Sequence, residues 1–259
     1  MSKVVITGAA DGIGKALAAA FVDAGHDVIG VDVDAERATQ TQSELGERVS
    51  FIIADLSDAA DVQRVADEIG AGVDVVIHNA GINEVGYFEG TNPARQQKVI
   101  AINLTAPMLL TRHLLASGAL PGTGSVVFVS SLSRYVSYPG ASVYAATKDG
   151  LASYARSLAV AYPQMHVLTV YPGPTRTAHA RKYSPDNSKE DKRMTPEDLA
   201  GRIVTAVDRR QRVLIPGAAN WIFAILGRVA PALTDYAMKK SLLEKFEKPA
   251  ATPERVTEH

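Results

Sequence analysis

The stretch at residues 4–14, VVITGAADGIG, decides how this chain is expected to fold. Its first three residues are β-branched and apolar, which is typical of a strand buried on both faces. A glycine-rich turn follows, and an alanine-rich helix is predicted at residues 15–24, with Gly25 as its cap. In this context the backbone N–H groups of the turn can approach a phosphate at the helix N-terminus. The stretch therefore predicts a strand–turn–helix unit that binds the pyrophosphate of a dinucleotide.

Predicted strands and helices alternate along the rest of the chain. Further strands are expected at residues 28–31, 50–54, 73–77, 126–129, 165–170 and 213–215. Helices are expected at residues 57–69, 92–115 and 141–161 and from residue 195 onward. Apolar strands that alternate with helices form a parallel sheet covered on both faces. The sequence therefore predicts an α/β protein with a doubly wound parallel sheet, the Rossmann fold, of about seven strands.

The length and composition suit one globular domain, with 259 residues of which 46% are hydrophobic. There is no internal repeat and no linker in the sequence. Residues 1–246 are therefore expected to form a single domain that includes an apolar extension from about residue 217. Residues 247–259 are polar and are expected to be disordered.

The composition excludes several kinds of function. The chain has no cysteine, which excludes disulfides, thiol catalysis and zinc–thiolate sites. Its six histidines lack metal-ligand spacing, so no metal is expected. A net charge of −1 without a basic face argues against a nucleic-acid partner. No signal peptide and no transmembrane segment are recognisable, so a cytoplasmic protein is expected.

A carboxylate at the end of the second predicted strand indicates which dinucleotide binds. Asp32 lies about twenty residues beyond the glycines, where a carboxylate accepts hydrogen bonds from both hydroxyls of the adenosine ribose and repels a 2′-phosphate. Asp11 adds a second negative charge inside the loop. We therefore expect NAD rather than NADP; the alternative interpretation of Asp32 is an ordinary turn residue at a strand end.

Three polar side chains are predicted to meet in the stretch at residues 125–148. Tyr144 and Lys148 are four residues apart on a predicted helix and so share one face, and Ser131 ends the preceding strand. Such a group could move a proton to or from an alcohol or carbonyl oxygen. A lysine about 5 Å away supplies roughly 3 of the roughly 4 kcal/mol needed to bring a tyrosine pKa near neutrality. A second positive charge, such as an oxidised nicotinamide ring, would supply the rest.

The spacing Tyr-x-x-x-Lys is weak evidence by itself, because Tyr236 and Lys240 repeat it near the C-terminus. No strand-then-turn pattern leads into that second pair. We interpret it as an ordinary helix surface.

Taken together, these motifs resemble the short-chain dehydrogenase/reductase family, in its compact single-domain branch, over roughly residues 3–216. The resemblance implies a cofactor site built from the glycine loop, an acidic position beside the adenine, an Asn-Ala-Gly motif and a Pro-Gly segment. The matching cofactor-binding residues are Thr7, Gly8, Asp11, Gly12, Ile13, Gly14, Asp32, Asp55, Leu56, Asn79, Ala80, Gly81, Tyr144, Lys148, Pro172, Gly173, Thr175 and Thr177. The matching catalytic tetrad is Asn103, Ser131, Tyr144 and Lys148.

The resemblance also implies an NAD-dependent oxidoreductase that transfers a hydride between nicotinamide and a secondary alcohol or its ketone. Tyr144 would be the general acid/base and Ser131 would polarise the substrate oxygen. Lys148 would hold the nicotinamide ribose and lower the pKa of the tyrosine. Asn103 would interrupt its helix to hold a water; taken without the family, it is a buried asparagine satisfied by backbone.

Three alternatives stay open at this point. An NADP-dependent carbonyl reductase would share the catalytic residues but not the cofactor preference. A dinucleotide-binding sensor without turnover would usually lose part of the tetrad, which is intact here. A sugar-nucleotide epimerase would normally have a shorter glycine spacing and a large C-terminal substrate domain, and the sequence shows neither.

The sequence departs from the family pattern in several places. His78 precedes Asn-Ala-Gly where asparagine is common, and Arg176 stands where an aliphatic residue is more frequent. Residues 181–193 are highly charged and fall where the family carries its substrate lid, although a solvated loop is an equal interpretation. Residues 218–230 form an apolar stretch that ends before Pro231.

The apolar extension has three competing interpretations: a helix packed on a neighbouring subunit, a cover over the substrate pocket, or a weak peripheral contact with a membrane. A pocket cover would imply a substrate with a sizeable apolar portion. The resemblance further implies a homo-oligomer, a dimer or a tetramer. Apolar surface for such an assembly is expected on the helix that carries Tyr144, at Leu151, Tyr154, Ala155, Leu158 and Tyr162.

Overall fold

A computed structural model describes residues 1–246 of the chain. Seven parallel strands form one sheet in the order β3-β2-β1-β4-β5-β6-β7. The strands are β1 (Lys3–Thr7), β2 (Asp27–Asp32), β3 (Val49–Ile53), β4 (Val75–His78), β5 (Ser125–Val129), β6 (His166–Val170) and β7 (Val213–Leu214). The predicted doubly wound parallel sheet is thus confirmed, and strand order reverses beside β1.

Ten helices connect and cover these strands over the described residues. They are α1 (Gly12–Asp23), α2 (Ala35–Leu45), α3 (Ala59–Ile69), α4 (Pro93–Ile100), α5 (Ala106–Ala116), α6 (Ser142–Ala161), α7 (Ala178–Tyr183), α8 (Pro196–Asp208), α9 (Ala218–Val229) and α10 (Pro231–Ser241). Helix α2 has no counterpart among the predicted helices. The single helix predicted at residues 92–115 is α4 and α5, joined by a π-helical turn at Ala101–Thr105.

Successive residues of each strand point to opposite faces of the sheet, which separates the core into two layers. One face packs against α3, α5 and α6, with Val65, Leu114 and Leu151 fully buried there. The other face packs against α1 and α8, with Leu17 and Leu199 fully buried. These layers hold the sheet rigid, so the carboxyl ends of its strands are fixed relative to one another.

The helix surface expected to serve an oligomer lies largely inside the protomer. Leu151, Ala155 and Leu158 are buried in the core between α6 and the sheet, and Tyr154 meets Phe128 of β5 edge-on at 5.6 Å between ring centres. The expectation of spare apolar surface was therefore wrong for Leu151, Ala155 and Leu158, whereas Tyr162 is 41% exposed. The 3.6-residue spacing of these side chains reflects packing on the sheet.

One stretch of helix within residues 1–246, Pro93–Ala116, is long and apolar enough to cross a membrane by length and composition. Its residues Leu110 and Leu114 are buried against the sheet. The stretch is therefore a core helix of the fold.

The apolar extension forms two helices, α9 and α10, and Pro231 is the first residue of the second. Ala224 and Met238 join a small third cluster with Leu132, Val136 and Tyr171. The extension thus packs beside the loop that follows β5. The tail predicted to be disordered, residues 247–259, lies outside the described residues.

Candidate active site

The glycine loop is packed so closely that two of its glycines, Gly8 and Gly14, leave no room for a side chain. A Cβ on Gly14 would lie 1.8 Å from the carbonyl oxygen of Gly8, and a Cβ on Gly8 would lie 2.9 Å from the Cα of Ala80. Gly12 has a φ of +52°, which residues with a Cβ rarely adopt. The side chain of Asp11 caps α1 by accepting the Gly12 N–H at 2.7 Å. The N-terminus of α1 is therefore reachable by a phosphate at close range.

The Asn-Ala-Gly motif after β4 fastens this loop to the centre of the sheet. The side-chain amide of Asn79 donates to the carbonyl oxygens of Thr7 and Gly8 at 3.0 and 3.1 Å. The hydroxyl of Thr7 accepts the backbone N–H groups of Asn79 and Ala80. Gly81 completes the motif, because a Cβ there would lie 3.4 Å from both the Asn103 Oδ1 and the Lys148 Nζ.

The expected adenosine end of the site is strongly acidic. Asp32 ends β2, and its carboxylate accepts the backbone N–H groups of Ala10 at 2.9 Å and Asp34 at 3.1 Å. The guanidinium of Arg37 on α2 pairs with Asp11 at 2.8 Å and with Asp34 at 3.3 Å. Three carboxylates thus lie at this corner, and two of them, those of Asp11 and Asp34, pair with the one guanidinium. Arg37 was not predicted, because the sequence reading assigned no helix after β2.

Asp55, expected beside the adenine, follows β3 and belongs to a local polar network. Burial alone would raise the pKa of Asp55, but hydrogen bonds from the ammonium of Lys98 and from Ser57 lower that pKa to about 2. The Lys98 Nζ lies 2.9 Å from the carboxylate. The neighbouring Leu56 packs against the apolar core. Asp55 is therefore charged at neutral pH and already partnered.

The structure brings Ser131, Tyr144 and Lys148 together at the carboxyl end of β5. The Lys148 Nζ lies 5.7 Å from the centre of the Tyr144 ring and donates to the carbonyl oxygen of Val129 at 2.8 Å. The neighbouring Ser130 hydroxyl donates to the carbonyl oxygen of Lys148 at 2.8 Å and ties α6 to the strand. Ser131 follows immediately, and its hydroxyl accepts the Ser133 N–H at 3.2 Å.

Burial is the largest influence on the pKa values of Tyr144 and Lys148. It raises the pKa of Tyr144 above its ordinary value; nearby Tyr138 adds to the rise, and a hydrogen bond with Ser131 opposes it. Burial also lowers the pKa of Lys148 to about 8. The lowering of the tyrosine pKa expected from Lys148 is therefore not present in the protein without ligands. The ammonium donates to the Val129 carbonyl oxygen, and burial is the largest influence on the pKa of the phenol.

Asn103 lies at the centre of the π-helical turn between α4 and α5 and is fully buried. Its Oδ1 accepts the Ile82 N–H at 2.9 Å, and its Nδ2 donates to the Ile82 carbonyl oxygen at 2.9 Å and to the Thr147 hydroxyl at 3.2 Å. The expected interruption of the helix is thus present. The amide links the loop after β4 to α6 and satisfies its hydrogen bonds with protein atoms.

His78 stands where asparagine is common before the Asn-Ala-Gly motif, and its contacts in the structure explain the difference. Its Nε2 lies 2.8 Å from the Thr111 hydroxyl of α5, and its ring stacks on Phe128 at 5.1 Å between ring centres. Burial lowers the pKa of His78 to about 3. The imidazole is therefore neutral and serves as a core side chain.

Residues 174–194, the lid segment, are ordered by polar contacts. Thr177 caps α7 by accepting the Ala180 N–H at 3.0 Å, and its methyl group lies 3.2 Å from the position of a Cβ on Gly12. Thr175 pairs with Met194 across the segment. Arg181 and Glu190 form an ion pair at 2.7 Å. The lid segment thus lies against the glycine loop at Thr177.

The C-terminal extension reaches the site at three points that sequence reasoning missed. The Asn220 side chain of α9 lies against Gly173, where a Cβ would be 2.5 Å from its Oδ1. The ring of Phe246 lies against Gly140, shortly before Tyr144. Lys245 pairs with Asp186 of the lid segment. A Pro-Gly pair and a glycine in a turn were visible in the sequence, but nothing there indicated which distant side chains cover them.

Known proteins resemble this chain over most of its length. The sequence profile described as short chain dehydrogenase matches residues 2–188. An uncharacterized oxidoreductase of Thermotoga maritima is 31% identical over 216 residues, which cover 79% of this chain and 83% of the relative. A short-chain dehydrogenase structure from Streptomyces avermitilis has a TM-score of 0.78 and 29% identity, covering 92% and 96% of the two chains. A short-chain dehydrogenase from Sphingobium yanoikuyae in complex with NADPH has a TM-score of 0.75 and 27% identity, covering 98% and 99%.

Proposed function

This chain belongs to the short chain dehydrogenase family, and we propose that it uses NAD to interconvert a secondary alcohol and its ketone. The observation that carries this proposal is the approach of Tyr144, Lys148 and Ser131 at the carboxyl end of β5, beside the glycine loop. Doubly wound sheets bind their ligands at this edge, where the strand order reverses. When bound, the nicotinamide ring would supply the carbon that takes or gives the hydride.

Each side chain of the group has a distinct proposed role. Tyr144 would give its proton to the substrate oxygen in reduction and take it back in oxidation. Its raised pKa keeps the phenol protonated and suits it to the first of these steps. Ser131 would donate a hydrogen bond to the same oxygen and stabilise the charge that develops on it. Lys148 would hold the nicotinamide ribose, and its positive charge would ease the loss of the phenol proton.

Asn103 would act by positioning. Its contacts with Ile82 and Thr147 hold the loop after β4 against α6, and Gly81 lies between its amide and Lys148. The structure therefore supports a role in which Asn103 fixes the orientation of Lys148 and its helix.

The residues present fit a dinucleotide. The close approach of Gly8 to Gly14 leaves no room for a side chain at either position, so backbone N–H groups at the start of α1 would hold the pyrophosphate. Asp32 lies at the strand end where a carboxylate accepts hydrogen bonds from ribose hydroxyls. The lid segment lies next to this loop, and Thr175 and Thr177 would contact the carboxamide.

The charges at the adenosine corner favour NAD. Asp11 and Asp34 pair with Arg37, and Asp32 adds a third carboxylate at the same corner, so a 2′-phosphate would meet an excess of negative charge. Arg37 is nevertheless the observation that keeps NADP as the second candidate, because its guanidinium is half-exposed and could rotate toward a phosphate. The structure of the Sphingobium yanoikuyae relative in complex with NADPH also supports NADP as the second candidate.

The surroundings of the site favour a substrate with an apolar portion. Leu132 and Val136 follow Ser131 and join Ala224 of α9 in an apolar cluster. Phe246 lies against Gly140, four residues before Tyr144 in the sequence. These contacts support the interpretation of the extension as a wall of the substrate pocket, and an apolar alcohol would match such a wall.

A panel of alcohols tests the proposal. We expect NAD reduction with secondary alcohols, and a kcat/KM that rises as the apolar portion grows at constant headgroup. Dinucleotide binding without turnover across the panel would instead identify a sensor. A preference for small polar alcohols would contradict the apolar substrate.

The family likeness also supports proposals on assembly and location. We infer a cytoplasmic homo-oligomer, a dimer or a tetramer, because proteins of this family are often oligomeric and mostly soluble. Light scattering at micromolar concentration tests the assembly, and a mass of 27.5 kDa would contradict it.

A further inference from the structure

Helix α9 turns most of its large apolar side chains outward. Over residues 1–246, six of them are between 37% and 72% exposed: Trp221, Ile222, Phe223, Ile225, Leu226 and Val229. Singly exposed apolar residues are ordinary, but a contiguous group on one helix marks an interaction surface. This surface has no role in the proposed reaction.

The inner side of α9 already packs against the protomer. The exposed side chains on its outer side are therefore not needed for packing within the protomer. Ala224 is buried at 2% exposure. Gly227 lies so close to the Tyr135 carbonyl oxygen that a Cβ would be 1.8 Å away. Asn220 fits against Gly173 on the same side. The helix is therefore held in one orientation, and its apolar outer face is a fixed feature of the surface.

The outer face is wider than a single partner helix covers. At about 100° per residue, the six side chains span about 200° of the helix circumference. A stripe of about 100° is enough to pack one helix against a protein core. Helix α9 is also only about 18 Å long, so a pair of such helices would bury a few hundred Å² per subunit, well below the roughly 800 Å² of a standard interface. The width and length of the face thus favour contact with a continuous apolar phase over contact with α9 of a second protomer.

The charges around this face favour an anionic medium. Residues 218–246 contain four basic residues and two acidic residues, whereas the whole chain has a net charge of −1. Lys239 and Lys240 lie on α10, which packs by Met238 on the same cluster as α9. Basic residues beside an apolar face with an aromatic side chain are typical of a helix that lies in the headgroup region of a bilayer.

We propose that the outer face of α9, with Lys239 and Lys240, docks the protein on the surface of a membrane that contains anionic lipid. Twelve residues are too few to span a bilayer, which needs about 20. The helix therefore lies in the plane of the interface, with Ile222, Ile225 and Val229 among the acyl chains. The protein binds the membrane peripherally.

Vesicle flotation with the full chain tests this proposal. We expect the protein to float with vesicles of phosphatidylcholine and phosphatidylglycerol, and less with phosphatidylcholine alone. Trp221 is the one tryptophan of the sequence, so its emission reports directly on α9. We expect a blue shift and weaker quenching by iodide when the mixed vesicles are added.

Two variants and a matched control separate this surface from the rest of the protein. The double variant I225S/V229S should lower the apparent partition coefficient at least about tenfold. Lys239→Glu combined with Lys240→Glu should remove most of the dependence on phosphatidylglycerol. Val160→Ser, at a residue 78% exposed on α6, should leave flotation unchanged.

Each other outcome overturns the proposal. Absence of flotation with both vesicle types, or equal flotation of I225S/V229S and the wild type, removes the membrane as the occupant. If light scattering without lipid shows that I225S/V229S breaks an oligomer, and vesicles do not bind the wild type, α9 is a subunit contact instead. Circular dichroism of each variant establishes that it is folded.

Discussion

The ammonium of Lys148 lies 5.7 Å from the centre of the Tyr144 ring, yet its hydrogen bond goes to the carbonyl oxygen of Val129 at 2.8 Å. Burial raises the pKa of Tyr144 and lowers the pKa of Lys148 to about 8. At neutral pH Tyr144 is therefore a neutral phenol, whereas Lys148 is still mostly an ammonium because its pKa of about 8 lies above 7. The phenol is an acid in this state, and it becomes a base only when positive charge is added beside it. An oxidised nicotinamide ring would provide that charge.

Lys148→Met should stabilise the protein without ligand while abolishing turnover. The pKa of Lys148 falls from 10.5 to about 8 on folding, so the folded state disfavours its charge at neutral pH. That shift corresponds to about 3 kcal/mol, and the lost hydrogen bond to Val129 offsets about 1 kcal/mol of it. We expect a net gain of about 1–3 kcal/mol at neutral pH in urea unfolding.

The pH dependence gives a second check on the same variant. Between about pH 8 and 10.5 the unfolded chain binds more protons at Lys148 than the folded protein does. The unfolding free energy of the wild type should therefore rise with pH in this window relative to Lys148→Met. Parallel stability curves for the two proteins from neutral pH to about 10 would show that the lysine is not desolvated.

Tyr144→Phe should abolish most turnover and leave binding of NADH nearly intact. The substitution removes the transferable proton and keeps the ring, which meets Tyr138 edge-on at 5.9 Å between centres. Steady-state kinetics and NADH fluorescence measure the two effects. Tyr236→Phe is the matched control, because Tyr236 and Lys240 repeat the same spacing on exposed α10. Retention of more than about a tenth of the wild-type kcat in Tyr144→Phe would identify another acid/base.

Local pattern was sufficient to predict the elements that build the sheet. The strand at Lys3–Thr7, the cap of α4 by Asn92 and the cap of α8 by Thr195 follow from β-branched runs and N-cap residues, whose effects act over a few positions. The parallel, doubly wound arrangement of the strands followed from their alternation with helices. The proximity of Ser131 to Tyr144 could also be predicted from the sequence, because one strand end and one helix face determine it.

Contacts between residues distant in sequence could not be predicted from the sequence. Arg37 pairs with Asp11 only because α2 runs back past the glycine loop, and the polar composition of α2 gave no helix signal strong enough to assign it. The apolar spacing of Leu151 and Leu158 predicted a face but could not show that the sheet fills it. Likewise, nothing in the sequence indicated that Gly227 packs against the carbonyl oxygen of Tyr135.

Asp32→Ala should narrow the preference for NAD. We expect the wild type to favour NAD over NADP at least about tenfold in kcat/KM, because three carboxylates lie at the adenosine corner. The variant loses the acceptor that would bind the ribose hydroxyls, so the ratio should shrink chiefly through weaker NAD use. Asp27→Ala, at the opposite end of the same strand, is the control and should leave the ratio unchanged. Equal use of both cofactors by the wild type would refute the assignment.

Gly227→Ala should loosen the extension from the active-site loop. The added Cβ would lie 1.8 Å from the Tyr135 carbonyl oxygen, so α9 must move away from the loop that follows Ser131. We expect a loss of about 1–3 kcal/mol in unfolding free energy and a raised KM for lipophilic alcohols, with a smaller change for short ones. Gly201→Ala is the matched control, since its Cβ would meet nothing within 4 Å inside α8, and it should gain about 0.5–1 kcal/mol. If Gly227→Ala gains stability as Gly201→Ala does, α9 does not pack on this loop and cannot form a wall of the substrate pocket.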